Sequence, residues 1–246
     1  MQLIIAASGR GSRLKNLTKN KPKILLKIFK NLTIFDLISQ NFKKFSDIFL
    51  VGGHKYIKFK KLGIHKKCNL IRNKKYLSSN MVETIFLVKN KIKSDVVISY
   101  GDIVFDEKIM DKMLKTNTTC LPLNSDWLKN WKQRMNLDKI RVDAENVTIS
   151  RDKVKSIGGK IGKKLPKLQF MGLIRIKKKD YFKLYNFYKK LNNKSIDLTS
   201  FLNLSIQNKI INLSFFKTNK RWAEIDSKKD YYVAKNIVKN ELLKNY

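Results

Sequence analysis

Residues 1–14 read MQLIIAASGRGSRL, an apolar run that ends directly in a glycine-containing loop. Short aliphatic runs that end in Gly or Ser are typical of strands buried on both faces of a parallel sheet. In the loop, the glycines allow backbone N–H groups to approach a polyphosphate, and Arg13 offers a planar pair of donors. The third glycine of the dinucleotide fingerprint would fall on Leu14, and no Gly-Lys-Ser/Thr closes the loop as in a Walker A motif. The start of the chain therefore predicts a strand followed by a phosphate-binding loop of another type.

The first half of the chain alternates such runs with helical patterns. The predicted strands are Gln2–Ala7, Asp47–Val51, Cys68–Ile71 and Asp95–Tyr100. Between them, Thr33–Phe45 and Ser78–Lys91 have apolar residues on one helical face, with Thr33 and Ser79 as N-caps. This repetition predicts an α/β fold, a doubly wound, mostly parallel, Rossmann-like sheet with helices on both faces. Ligands bind beyond the carboxyl ends of such strands, so we expect the loops that follow them to line one crevice.

The second half is less regular and predicts a small antiparallel insertion. Its short strands are Lys139–Val142, Asn146–Ser150 and Val154–Ile157. The remaining predicted elements are a strand at Leu168–Ile176, helices at Lys178–Leu191 and Asp197–Asn208, strands at Ile210–Phe216 and Trp222–Ile225, and a closing helix at Ser227–Lys244. The chain has no internal repeat and no Pro/Gly/Ser-rich linker. We therefore expect one domain over residues 1–246.

The composition gives 54 Lys+Arg against 19 Asp+Glu, a formal charge of +35, in 246 residues of which 43% are hydrophobic. Such a chain can bury a full core, so disorder is not expected. The lysines are spread from end to end without a basic arm, which favours a solvated surface over nucleic-acid binding, although the charge would attract small anionic substrates. With two cysteines and no apolar run near the about 20 residues of a membrane span, we expect a cytoplasmic protein.

Six motifs in order along the chain resemble one enzyme family. They are Ala7-Ser8-Gly9-Arg10-Gly11-Ser12-Arg13 with Lys21-Pro22-Lys23, Ser78–Val82, Tyr100-Gly101-Asp102, Trp127–Arg134 with Asp143-Ala144-Glu145, Gln169–Leu173, and Trp222–Asp226 with Asp230. Together they resemble the nucleotidylyltransferases that activate sugar-1-phosphates and phosphocholine, and the second half looks like the phosphocholine cytidylyltransferase-like branch. Ser8 departs from the pattern, because many members carry a second Ala there. The resemblance covers nearly the whole chain and implies a nucleotide-binding half at 1–120 and an acceptor-binding half with the closing helix at 121–246.

The resemblance implies attack of a phosphate or phosphonate oxygen on the α-phosphorus of a nucleoside triphosphate, with release of pyrophosphate. Two anions must meet, so the reaction needs positive charge and in-line positioning more than a protein nucleophile. The resemblance further implies a Mg²⁺ cofactor held by Asp102 and Asp226, with catalytic roles for Arg13 and Lys23. Both aspartates could instead act as caps of a turn or of the final helix. The residues implied in nucleotide binding are Ala7, Ser8, Gly9, Gly11, Asn80 and Gly101.

All three tryptophans, Trp127, Trp131 and Trp222, lie in the shared motifs, and the carboxylates Glu145 and Glu224 belong to the same segments. An aromatic face beside a carboxylate is suited to binding an ammonium group. We therefore favour a small phosphorylated amine, such as phosphocholine or an aminoalkylphosphonate, as the acceptor, and the resemblance to the cytidylyltransferase branch implies CTP as the donor. The predicted acceptor-binding residues are Trp131, Arg134, Glu145, Trp222 and Glu224, with Arg134 at the phosphate of the acceptor. Lys160, Lys163 and Lys164, in the loop at 158–164, are interpreted as a solvated charge run.

Other functions stay open from the sequence. A sugar-1-phosphate nucleotidylyltransferase that uses UTP, dTTP or GTP would keep the same loop and carboxylates. A basic RNA-binding protein on a degenerate transferase scaffold would bind nucleic acid in a salt-dependent manner and would not need the two aspartates. A homodimer is also left open. The two histidines lack zinc spacing with Cys68 or Cys120, and no Gly-x-Ser-x-Gly elbow occurs, so these chemistries are not predicted.

Overall fold

The computed structural model describes residues 1–162 and 164–242. The described strands are β1 (Gln2–Ala7), β2 (Lys27–Phe29), β3 (Leu32–Thr33), β4 (Asp47–Gly52), β5 (Asn69–Arg72), β6 (Val96–Tyr100), β7 (Ile103–Phe105), β8 (Cys120–Asn124), β9 (Glu145–Ser150), β10 (Lys153–Lys160), β11 (Gln169–Phe170), β12 (Leu173–Ile176), β13 (Ser214–Thr218) and β14 (Trp222–Glu224). The described α-helices are α1 (Ile34–Ser39), α2 (Ile57–Lys61), α3 (Met81–Phe86), α4 (Glu107–Lys115), α5 (Trp127–Lys132), α6 (Leu137–Asp143), α7 (Lys178–Lys190), α8 (Leu198–Gln207) and α9 (Lys228–Ile237). A π-helical turn, Val238–Leu242, follows α9.

Ten of the described strands form one mixed sheet in the order β5-β4-β1-β6-β12-β8-β13-β10-β9, with β11 paired to β8. Strands β5, β4, β1 and β6 are parallel neighbours, and β8 and β13 form a second parallel pair. Strand β12 runs antiparallel between β6 and β8, and β9 and β10 form an antiparallel extension at one edge. The predicted doubly wound, mostly parallel α/β sheet with an antiparallel insertion in the second half is confirmed.

Strand β1 shows why helices cover both faces of this sheet. Leu3 and Ile5 pack into an apolar cluster with residues of α1, α4 and α9. Ile4 packs into a second cluster with residues of α3, α7 and α8. All three side chains are completely buried. A strand with apolar side chains on both sides is shielded from water only when helices cover both faces of the sheet. This is the doubly wound arrangement.

The N-cap residues determine where α1 and α3, two helices of the first half, begin. Thr33 caps α1 as predicted, since Asp36 N donates to Thr33 Oγ1 (3.2 Å) and Thr33 N donates to Asp36 Oδ2 (2.9 Å). The helix predicted at Ser78–Lys91 begins later, and the prediction of Ser79 as its N-cap is wrong. Asn80 takes this position, because its backbone is extended and its Oδ1 accepts a hydrogen bond from Met81 N (2.7 Å).

Two predicted strands of the second half are wrong. Lys139–Val142 belongs to helix α6, in which Asn136 Oδ1 accepts a hydrogen bond from Lys139 N (3.1 Å) and only Ile140 is buried. The strand predicted at Leu168–Ile176 consists of β11 and β12, separated at Gly172. Gly172 has a φ of +73°, a left-handed conformation that interrupts extended pairing.

Of the predicted closing helix Ser227–Lys244, residues 243 and 244 lie outside the described residues. None of the helices in the described part of the chain is long and apolar enough to cross a membrane. Strands from both predicted halves lie in the one sheet, because β12 pairs with β6. The division into residues 1–120 and 121–246 stays a prediction.

Candidate active site

The loop after β1 forms one wall of a cavity at the carboxyl ends of β1 and β6. Gly11 has a left-handed backbone (φ +62°) and precedes a 3₁₀ turn, Ser12–Leu17. Ser8, which departs from the family pattern, donates from its Oγ to Val51 O (3.2 Å) and ties the loop to β4. The cavity has a volume of about 160 Å³. Its lining includes all the residues predicted to bind nucleotide, namely Ala7, Ser8, Gly9, Gly11, Asn80 and Gly101.

Three carboxylates meet beside this cavity. Asp102 follows β6, Glu224 ends β14, and Asp226 comes two residues later. Strand β14 pairs with β7, and Ile225 N donates to Asp102 O (2.9 Å), so the two segments lie side by side. One oxygen of each carboxylate lies within 4.8 Å of the others. The structure thus brings together the two predicted metal ligands and adds Glu224, which the sequence assigned to the acceptor.

The two predicted catalytic cations lie at this carboxylate cluster. Lys23 Nζ donates to Asp102 Oδ2 and to Asp226 Oδ1, both at 2.8 Å. Pro22 precedes Lys23 and serves as the N-cap of the short 3₁₀ turn that begins there. Arg13 Nη2 lies 3.0 Å from Asp226 Oδ2, on a side chain that is 64% exposed. Lys23 is therefore held in the cluster, whereas Arg13 reaches it from the solvent side.

The opposed charges of the cluster shift its pKa values. Burial disfavours the charged form of Lys23, but Asp102 and Asp226 outweigh this effect and raise its pKa above the ordinary value. For Asp226, burial acts to raise the pKa, yet Lys23 and Arg13 hold it below the ordinary value. Burial, followed by repulsion from the two aspartates, raises the pKa of Glu224 well above its usual range. Lys23 and Arg13 therefore stabilise the charged form of Asp226, whereas the charged form of Glu224 is disfavoured.

The chemistry of this cluster fits a divalent cation such as Mg²⁺. Carboxylate oxygens are ligands that Mg²⁺ prefers. Asp102 Oδ1 is buried, and no hydrogen-bond partner for it lies within the described chain. A cation among the three carboxylates would give this oxygen a partner and would offset their mutual repulsion. Binding of Mg²⁺ by this protein stays a prediction.

A second cavity, of about 300 Å³, adjoins the cluster, since Glu224 and Asp226 belong to the cluster and also line the cavity. Asp143, Glu145 and Asp197 line it as well, and within the described residues its lining contains no Lys or Arg. Burial raises the pKa of Asp143 and of Glu145. Of the 19 acidic residues in a chain with 54 basic ones, five therefore face one cavity. Such a lining favours a cationic group.

The predicted acceptor residues differ in where they lie. Trp131, Trp222 and Glu224 line the second cavity together with Glu145. Arg134 does not belong to its described lining. Its Nη1 lies 3.2 Å from Asp230 Oδ1, with both side chains 4% exposed, and its Cζ lies 4.2 Å from the centroid of the Trp131 ring. The contact of Arg134 with an acceptor phosphate stays a prediction.

Asp230, the partner of Arg134, connects this ion pair to the carboxylate cluster. Its Oδ2 accepts hydrogen bonds from Ser227 N (2.7 Å) and Asp226 N (3.1 Å). Ser227 Oγ in return accepts from Asp230 N (3.3 Å), which completes a capping box at the start of α9. The geometry thus supports a role for Arg134 in holding the backbone that carries Asp226.

Several residues of the second cavity were given no role from the sequence, among them Tyr100, Gln169 and Asp197. Tyr100 and Gln169 belong to quoted motifs, and Asp197 begins a predicted helix. A polar residue inside an otherwise apolar strand pattern is the signal that could have identified Gln169. Of the lysines in the loop at 158–164, Lys160 and Lys164 are exposed, and Lys163 lies outside the described residues.

Comparisons with known proteins agree with this geometry. No protein-family model matches the chain. The chain is 29% identical to a CTP:phosphoglutamine cytidylyltransferase of Campylobacter jejuni, over 95% of this chain and 98% of the relative. It is 27% identical to a choline-phosphate cytidylyltransferase of Streptococcus pneumoniae, over 47% of this chain and 51% of that protein.

Solved structures show the same fold over nearly the whole chain. The inositol-1-phosphate CTP transferase of T. maritima superposes with a TM-score of 0.76 at 20% identity, covering 97% of this chain and 96% of that one. The CTP:phosphocholine cytidylyltransferase of Streptococcus pneumoniae gives a TM-score of 0.70 at 20% identity, covering 96% and 98%.

The loop, the carboxylate cluster and the relatives together define an enzyme class. The resemblance to the nucleotidylyltransferases is confirmed by the relatives, and the chain is a nucleotidylyltransferase. Among its relatives, those reported above are named for transfer from CTP and for phosphorylated small molecules.

Proposed function

We propose that the protein is a Mg²⁺-dependent cytidylyltransferase that moves CMP from CTP onto a small phosphorylated or phosphonate amine, with release of pyrophosphate. The observation that carries this proposal is the acid-lined cavity of about 300 Å³ beside the three-carboxylate cluster. In a chain of such positive charge, an anionic cavity without a described Lys or Arg in its lining is suited to a cationic ligand. The names of the relatives support CTP as the donor.

The loop after β1 is proposed to hold the triphosphate. The N–H groups of Gly9 and Gly11 can face the phosphate oxygens, since the lining of the first cavity includes both. Asn80, at the start of α3, would contact the base or ribose from the opposite wall. Arg13 and Lys23 would stabilise the charge that develops on the phosphoryl groups, because such preorganised cations are worth most where water is excluded.

The carboxylate cluster is proposed to hold the metal ion through Asp102 and Asp226, with Glu224 as a third candidate ligand. When bound, Mg²⁺ supplies Lewis-acid charge for the phosphoryl oxygens and the leaving pyrophosphate. Lys23 keeps the two aspartates side by side through its bonds of 2.8 Å. Attack by the acceptor oxygen forms the new P–O bond as the bond to pyrophosphate breaks.

The second cavity is proposed to receive the amine end of the acceptor. Glu145 and Glu224 line it, and an ammonium group beside them would favour their charged forms and offset the effect of burial on their pKa values. Trp131 and Trp222 form part of the wall. With this assignment, the ammonium group lies away from the metal and the phosphate end of the acceptor lies toward Asp226. Arg134 would act on this site from behind Trp131, through Asp230.

A sugar-1-phosphate nucleotidylyltransferase is the second candidate. Carboxylates also bind sugar hydroxyls, but five acidic side chains around a neutral sugar would keep their mutual repulsion. An RNA-binding role leaves the cluster unexplained, since carboxylates that face phosphates oppose nucleic-acid binding.

The test is pyrophosphate release with Mg²⁺, measured for CTP, UTP, ATP, GTP and dTTP against phosphocholine, phosphoethanolamine, aminoethylphosphonate, phosphoglutamine, inositol-1-phosphate and glucose-1-phosphate. We expect release that needs CTP and an amine-bearing acceptor. Lys23→Ala should lower turnover about a hundredfold or more because it removes positive charge beside the reacting phosphates. Asp102→Ala should lower turnover to a similar extent because it removes a ligand of the proposed metal ion. Asp152→Ala, an exposed carboxylate in the turn between β9 and β10, is the matched control. Release with a sugar phosphate alone, or near-normal turnover in either site variant, would contradict the corresponding assignment.

A further inference from the structure

The acid-lined cavity restricts the kind of ammonium group that it can bind, and this inference rests on the proposed function. A quaternary ammonium has no N–H and is held by open aromatic faces. A primary ammonium donates three hydrogen bonds and is held by oxygen acceptors. The two classes can therefore be told apart by what the cavity wall presents.

The aromatic rings of the wall are already engaged by other groups. The guanidinium of Arg134 lies over Trp131, and Trp127 packs edge to face with the same indole at a centroid distance of 5.2 Å. Trp222 is 1% exposed. Tyr100 and Phe170 pack edge to face against each other at 6.0 Å. The rings thus form a packed wall and do not present a set of open faces that could surround a trimethylammonium group.

An oxygen acceptor without a partner lies in the same wall. Gln169 is 4% exposed, and its Oε1 is buried without a hydrogen-bond partner within the described chain. Gln169 lines the cavity, as do Glu145 and Asp197. Strand β11, which carries Gln169, lies against β9, which begins with Glu145. A buried carbonyl oxygen that lacks a donor is costly, so a ligand N–H at this point is favoured.

The Thr199 hydroxyl lies within hydrogen-bond distance of both neighbouring carboxylates and donates its one proton to one of them at a time. Thr199 Oγ1 lies 2.6 Å from Glu145 Oε1 and 2.9 Å from Asp197 Oδ1. Asp197 is fixed further as the N-cap of α8, because its Oδ1 accepts from Ser200 N (2.8 Å). Carboxylates that are held rigidly can accept N–H groups with little loss of side-chain entropy on binding.

We propose that the acceptor carries a primary ammonium group, bound by Gln169 Oε1 together with Glu145 and Asp197, and that Gln169 is a specificity-determining residue. Its amide oxygen accepts one N–H, and the carboxylates supply the opposite charge and the remaining acceptors. A trimethylammonium group would leave Gln169 Oε1 without a donor and would meet rings that are already covered. Sites built to hydrogen-bond a substrate group reject the analogue that lacks it.

The test compares phosphoethanolamine with phosphocholine at saturating CTP, for the wild type, Gln169→Leu and Gln169→Glu. We expect the wild type to favour phosphoethanolamine by about tenfold or more in kcat/KM. Gln169→Leu should raise the KM for phosphoethanolamine by about tenfold, with little change in kcat, in the KM for CTP or in the use of phosphocholine. Gln169→Glu keeps an oxygen acceptor and should restore the preference. Gln133→Leu, an exposed glutamine at the end of α5, is the control.

The outcomes separate this inference from the proposed function. Equal or better use of phosphocholine by the wild type, or an unchanged preference in Gln169→Leu, overturns the primary-ammonium inference and leaves the cytidylyltransferase proposal intact. Turnover of a sugar phosphate and of neither amine overturns the proposed function. If Gln169→Leu does not fold, the wild-type preference and Gln169→Glu decide. If no acceptor is turned over, calorimetric binding of the two amines in the presence of CTP decides, and equal affinity overturns the inference.

Discussion

Replacing Arg134 by Met tests whether this buried arginine supports the fold or contacts the acceptor. Arg134 Nη1 lies 3.2 Å from Asp230 Oδ1, with each side chain 4% exposed, and the guanidinium also covers Trp131. Removal of one partner leaves the other charge buried and uncompensated, which costs about 3–5 kcal/mol. We therefore expect Arg134→Met to lower the free energy of unfolding by about 3–5 kcal/mol.

Urea unfolding at neutral pH measures this loss. The double variant Arg134→Met with Asp230→Asn removes both charges, so it should be less destabilised than the sum of the single variants, with a coupling of about 0.5–3 kcal/mol. Arg10→Met, at an exposed arginine, should change stability by less than about 0.5 kcal/mol. The single variants measure the free-energy cost of leaving one buried charge unpaired. The double-mutant cycle measures the interaction free energy between Arg134 and Asp230.

The same variant decides between the two roles of Arg134. An Arg134→Met variant as stable as the wild type, with a KM for the acceptor that rises while the KM for CTP stays constant, would refute this reasoning. The arginine would then contact the acceptor phosphate, as the sequence predicts.

Two further predictions concern stability. Burial acts to raise the pKa of Asp95, but the Lys178 N–H (2.9 Å) and Arg175 (3.0 Å) outweigh it and hold the pKa below its ordinary value. The Asp95 carboxylate therefore stabilises the fold above the unfolded-state pKa of about 3.9, and this contribution is lost as the pH falls through that value toward the lower folded-state pKa. Asp95→Asn should lower the free energy of unfolding near neutral pH and make it depend less on pH in the acid range. Urea unfolding of wild type and variant at several pH values measures this, and a constant difference between the two at all pH values would contradict it. Thr33→Ala should cost about 1 kcal/mol because it removes the N-cap of α1, whereas Thr33→Ser keeps the hydroxyl and should unfold at nearly the wild-type urea midpoint.

The fold was predictable where the sequence pattern is local. The run Gln2–Ala7 is apolar on both sides, which specifies a strand covered on both faces, and Thr33 specifies where α1 begins. The alternation in Lys139–Val142 predicts a strand, yet the same residues form a helix that buries only Ile140. Four residues with one buried position fit the two-residue period of a strand and the 3.6-residue period of a helix equally well. The N-cap at Asn136 and tertiary packing therefore determine that the segment is helical.

The site was predictable in part for the same reason. Asp102 comes directly after a buried strand, and its place at the carboxyl end of the sheet follows from the strand pattern alone. Glu224 joins the cluster only through the pairing of β14 with β7, which no local pattern reports. The pairing of Arg134 with Asp230 joins segments far apart in the chain, and the sequence therefore assigns the arginine to a substrate.

By itself the sequence determined the class of fold, the position of the glycine-containing loop that we predict to bind phosphate, and the two aspartates beyond strand ends. These features follow from periodicity, loop glycines and strand order, which are local properties of the chain. Only the tertiary structure decided that Glu224 and Asp226 stand with Asp102, that Arg134 pairs with Asp230, and that Gln169, against the strand that begins at Glu145, has a buried oxygen without a partner in the described chain. Those contacts join distant segments, and they depend on strand pairing and packing that the order of residues does not show.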